Sequence, residues 1–212
     1  MRVTKAMMVA AVILGSAAAT AAAAVTIHSG TAPAAPAQMH GMAMPMADSS
    51  AAVALPAKQL ARARVATAKY ANDLAAAKAD GYSILTQEIP GMGYHFINPA
   101  VKGFDVRKPA ILVYERNGSH WQLGALEWVF PQKPATAPLS GASYGSFPAA
   151  CHYKDGTFVP EPSAGACAKT SPASGSAFKL WHPRLVTMHV WTWYPNPSGM
   201  YASMNPLVPA FG

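Results

Sequence analysis

Hydrophobic positions change their period once along this chain, from a three-four spacing before Gly81 to an alternation of two after it. Leu60, Ala63, Thr67, Tyr70, Leu74 and Ala77 recur at the helical spacing. They predict one amphipathic helix over 56–80, with Pro56 in its first turn and Gly81 as its stop. Lys69 and Asp73 are four residues apart, the spacing of an ion pair on the outer face. Beyond Gly81 the pattern turns to strands. Residues 82–89 alternate loosely until Pro90-Gly91, and 93–97 end at Asn98-Pro99. Residues 111–115 lead into Asn117-Gly118, a strong hairpin signal, and 120–130 form the returning strand. Pro, Gly and Ser then dominate 131–176, and strand character returns over 178–194 with a break at His182-Pro183. The expectation is an α+β domain: one N-terminal helix packed on a mainly antiparallel sheet, with a long irregular loop insertion.

Alternation also assigns faces. Along 120–130 one face carries Trp121, Leu123, Ala125, Glu127 and Val129, which surrounds a carboxylate with apolar neighbours. Along 186–194, His189 shares a face with Trp191 and Trp193, and His95 stands between Tyr94 and Phe96 in a third strand. Buried polar groups are costly unless partnered, so His95, Glu127 and His189 are expected to meet in one pocket, rimmed by Tyr94, Trp191 and Trp193. Such a trio suits three roles. It can hold a divalent metal, zinc or copper, with a coordination position left open. It can serve as an acid–base pair if burial raises the Glu127 pKa. It can also be a hydrogen-bond network that only fixes the sheet. Asn196-Pro197 and Asn205-Pro206 flank Gly199-Met200, so the chain should double back just after the last strand.

Composition adds compartment. Arg2 and Lys5, the apolar run 6–14 and the small residues through Ala24 predict a signal peptide over 1–24. Residues 25–55 hold almost no charge or branched apolar side chains and read as a linker unable to build a core. Within it Met39, His40, Met42, Met44 and Met46 form a tract whose thioethers suit copper(I). Residues 56–212 are then a single globular domain. Cys151 and Cys167, the only cysteines, are expected to pair in an oxidising compartment. That pairing leaves His152 without a thiolate neighbour, and His182 and His120 read as rim or surface residues. The net charge of +7 falls by two when Arg2 and Lys5 are removed, and it forms no nucleic-acid stripe. No stretch after the leader reaches spanning length. Nucleophile elbows, phosphate loops, dinucleotide fingerprints and paired-histidine zinc motifs are absent from the sequence.

Several blocks carry a resemblance. They are Ala79-Asp80-Gly81-Tyr82, Met92-Gly93-Tyr94-His95-Phe96-Ile97-Asn98-Pro99, Leu112-Val113-Tyr114-Glu115, Leu126-Glu127-Trp128 and His189 through Tyr201. The string resembles that of a group of uncharacterised secreted bacterial proteins over about residues 57–209, which implies a single exported domain and no particular activity. The expectation for function is a periplasmic or secreted metal- or small-ligand-binding module. An enzyme acting on a small extracellular substrate and a structural envelope protein are the alternatives.

Overall fold

The computed structural model describes residues 49–208, so the leader and the Met39–Met46 tract lie outside the described residues. The helical segment is broken, in contrast to the single helix expected over 56–80. Helix α1 runs Ser49–Thr67 with Pro56 inside it, a short 3-10 turn covers Ala68–Tyr70, and α2 runs Leu74–Ala79. The break has a local cause. Asp73 is the N-cap of α2 and its carboxylate accepts the Ala76 N–H at 2.9 Å. Asp73 is thus committed to a cap, and Lys69 pairs with Asp80 instead of with the residue four positions on.

Among the described residues the strands are β1 (Ser83–Ile89), β2 (Gly93–Ile97), β3 (Ile111–Asn117), β4 (His120–Phe130), β5 (Gly145–Phe147), β6 (Ala150–Tyr153), β7 (Phe158–Pro160), β8 (Phe178–His182) and β9 (Leu185–Trp191). Six form a curled antiparallel sheet in the order β1-β2-β3-β4-β9-β5. Pro/Gly-rich residues 131–176, expected to be irregular, contribute β5 to this sheet and build part of a second. There β6 lies between β7 and β8, and the Ala150–His182 pairing spans a long stretch of chain.

One face of the large sheet is filled by Phe96, Leu112, Tyr114, Leu126, Trp128, Met188 and Val190, and Ala63, Tyr70, Leu74 and Ala77 from the helical segment pack into the same cluster. The opposite face carries Ile111, Val113, Ala125 and Trp191. The smaller sheet approaches that second face along β1. Gly156, in the turn between β6 and β7, accepts the Gln87 N–H at 2.9 Å. Its φ of +86° favours glycine, and a Cβ there would meet the backbone of Thr86 and Gln87 at 2.9 and 2.8 Å. Cys151 and Cys167 are bonded, which ties β6 to the loop before β8. Among the described residues no helix is long and apolar enough to cross a membrane.

Candidate functional site

Strand pairing places the site. Glu127 in β4 stands opposite His189 in β9 and opposite Ile111 in β3, while His95 in β2 stands opposite Val113. All three polar side chains emerge on the second face of the sheet, and its curl brings them together. His189 Nδ1 lies 3.2 Å from Glu127 Oε1, and His95 Nε2 lies 4.0 Å from the same oxygen. All are sealed from water, Glu127 being 1 % exposed. Thr86 of β1 sets the His95 ring through a 2.9 Å contact between its hydroxyl and Nδ1, and His189 stacks on Trp191 with ring centres 4.9 Å apart.

The trio is in contact without being satisfied. Neither approach to Glu127 meets hydrogen-bond geometry, so among the described residues Glu127 Oε1, His95 Nε2 and both His189 nitrogens have no hydrogen-bond partner. Burial alone would raise the Glu127 pKa, but the adjoining His189 and His95 outweigh it and hold the carboxyl below its ordinary value. That is the reverse of the shift an acid–base role was expected to use. Burial keeps His95 below its ordinary value, with the opposing pull of Glu127 second.

A cavity opens between the two sheets above this floor, with about 520 Å³ of empty space including its mouth. Leu85, Ile89, Ile111, Phe147, Pro148, Ala150, Phe158 and Leu185 make it apolar, and Thr86, His95, Glu127, His152 and His182 interrupt those walls. Glu127 also borders a second recess on the His189 side, lined by Ser143, Ser146, Thr187, Tyr201 and Ser203.

Two of the expected rim residues lie elsewhere. Tyr94 points to the helix-side cluster, where it packs edge-on against Trp121 at 5.0 Å. Strand β9 ends at Trp191, so alternation does not extend to Trp193. The Trp193 indole instead donates to Thr67 Oγ1 at 3.0 Å beneath the Arg64 guanidinium. The expected face of β4 also splits. A register shift between Val113 and Tyr114 spans Gly124, so Leu123 and Trp121 join the helix side while Ala125, Glu127 and Val129 keep the other. The expected reversal after β9 is present: Met200 returns to accept the Trp191 N–H, and the Asn196 and Asn205 side chains bond Met204 and Pro195.

Three polar residues had no place in the expected site. His152 and His182 form part of the cavity wall, and Glu115 is buried beside Gly124 and Trp191. The alternation of 111–115 already put Glu115 on the Val113 face, which was the available signal. Compared with family models, with curated proteins and with solved structures, the chain matches none. Among the described residues no three His, Cys, Asp or Glu side chains are disposed to hold a metal ion.

Proposed function

We propose that this domain binds a small ligand between its two sheets, taking an apolar body against the cavity walls and a hydrogen-bond-donating head group at Glu127. The carrying observation is the unpartnered Glu127 Oε1, fully buried at the floor of a cavity whose walls are otherwise largely apolar. The two histidines favour the ionised carboxylate, yet Oε1 has no aligned donor among the described residues, and a ligand donor supplies one. Recognition by one polar group within apolar walls is the usual economy of small-molecule sites. A signal peptide and an exported disulfide-bonded domain would place this binding outside the cytoplasm.

Benzylamine and toluene test the reading, because they share a ring and differ in the donor. Calorimetric titration of the full chain should show benzylamine bound at least tenfold more tightly than toluene. Glu127→Gln should erase most of that difference while toluene affinity stays put. No binding of either compound, or a preference that survives Glu127→Gln, would refute the proposal.

A metal reading retains one specific support. His95 Nε2 and His189 Nδ1 approach a single carboxylate oxygen, and Thr86 holds the other nitrogen of His95 as second partners of metal-bound imidazoles do. Zinc or copper would then be held by His95, Glu127 and His189 after a small closure of the set. Titration with zinc alone distinguishes the readings: one equivalent lost in both His95→Ala and Glu127→Gln supports the metal, and no uptake removes it.

A further inference from the structure

His152 and His182 meet head-on across the small sheet, with their Nε2 atoms 3.0 Å apart, ring centres at 5.0 Å and an interplanar angle of 30°. The other nitrogen of each ring is already engaged. His152 Nδ1 donates to the Leu85 carbonyl at 2.8 Å, and His182 Nδ1 donates to the Pro183 carbonyl at 2.7 Å. A carbonyl can only accept, so each Nδ1 must carry its ring's proton. Two neutral imidazoles in these tautomers point bare lone pairs at one another. Something positive must lie between them: a shared proton or a metal ion.

We propose that His152 and His182 form a two-imidazole site for copper(I). Imidazole nitrogen is a good copper donor, and a d¹⁰ monovalent ion accepts two donors in line without needing a full tetrahedral set. Bonds of about 2 Å on each side require the nitrogens to part to about 4 Å. The geometry allows this on one side only. His152 is 3 % exposed and held by the Leu85 carbonyl and the Phe158 ring, stacked at 5.5 Å, whereas His182 is half-buried at the end of β8 beside the Pro183 break. One fixed ring and one adjustable ring suit capture of an ion. The backbone carbonyls orient both imidazoles in the way that outer partners orient metal-bound histidines. A shared proton is the competing occupant, and it would need no parting of the two nitrogens from 3.0 Å. The site stands on the small sheet and does not depend on the ligand reading at Glu127.

The test is anaerobic titration of the full chain with copper(I) against a colorimetric chelator, comparing wild type, His182→Ala and His120→Ala. Comparison of variants with wild type subtracts any copper taken by Met39, Met42, Met44 and Met46, which all three proteins share. His182→Ala should bind one equivalent less than wild type, and His120→Ala, which removes an exposed imidazole outside both cavities, should match wild type. His182 is half-buried and among the described residues its ring bonds an adjacent carbonyl and His152, so the variant should fold, which an unchanged circular dichroism spectrum would show. Equal stoichiometry in wild type and folded His182→Ala would overturn the proposal and leave the shared proton. An equivalent lost equally in His120→Ala would overturn it too, by showing that the loss does not belong to the His152–His182 pair.

Discussion

Leu126 and Glu127 are neighbours on β4 and both are sealed from water, yet they belong to opposite kinds of surface. The Leu126 side of the sheet is filled by aromatic and aliphatic side chains whose polar tips are mostly matched, the buried Tyr144 hydroxyl being the exception. Trp128 donates to the Asp105 carbonyl, Tyr114 to Tyr70 and Tyr82 to Pro109, at 2.8, 2.9 and 2.7 Å. The Glu127 side holds His95, Glu127, His189 and Glu115, and each has a buried polar atom without a hydrogen-bond partner among the described residues. The contrast separates two uses of burial. One face lowers the free energy of folding, and the other holds desolvated polar groups in readiness at a cost of about 1–3 kcal/mol for each unmatched group.

The largest expected effect lies on the matched face. Trp128→Ala removes a fully buried indole and its hydrogen bond, and should cost about 3–5 kcal/mol in urea denaturation. On the other face Glu127→Gln keeps the volume and removes the charge, so a comparable loss there would break the distinction between the faces.

Next in size is the bond that ties the cover of the cavity. Cys151–Cys167 closes a loop with a sequence separation of 16, for which loop-closure entropy gives about 3 kcal/mol. The loss should be spatially uneven. Hydrogen exchange after replacement of both cysteines by serine should speed up in β6, β7 and β8 while Leu112, Leu126 and Val190 stay protected. Uniform acceleration would mean that the two sheets open together. Gly156→Ala probes the same cover through its backbone. The residue cannot keep its φ without strain or its Cβ without displacing β1, so about 1–3 kcal/mol should be lost, with benzylamine affinity falling in parallel.

These differences between regions also explain what could be read from the chain. The bounds of β2 and β4 follow the punctuation at Asn98-Pro99, Asn117-Gly118 and Pro131, where turn chemistry is local. The meeting of His95, Glu127 and His189 follows from alternation within three strands, each read independently. Alternation failed where the backbone departs from it, at the Gly124 register shift and past the end of β9 at Trp191. The helix broke because Asp73 has a competing use as a cap, which three-four spacing does not register. The small sheet was hidden for another reason. Strands β5 to β7 are three or four residues long among Pro and Gly, and β6 finds its β8 partner far along the chain. Short strands carry too few alternations to signal themselves. The facing histidines were invisible for the same cause.

The smallest expected effect, and the sharpest probe of the unmatched face, concerns Glu115. The residue is 7 % exposed, its Oε1 has no hydrogen-bond partner among the described residues, and burial pushes the pKa from 4.5 to about 7. Between those values the unfolded chain has released this proton while the folded chain retains it. Stability must therefore fall as pH rises across that window, and the contribution is level below 4.5 and above about 7. His95 and His152 act in the opposite sense. Burial lowers both from 6.5, so their contribution is present above that value and declines as pH falls below it. The wild-type profile sums these slopes, and only a difference isolates one of them. Glu115→Gln should gain stability relative to wild type progressively as pH rises through the 4.5-to-7 window, then run parallel above it. Urea midpoints measured at half-unit pH steps give that difference. Parallel profiles throughout would show that Glu115 reaches water or a partner in solution, and would return it to the matched side of the comparison.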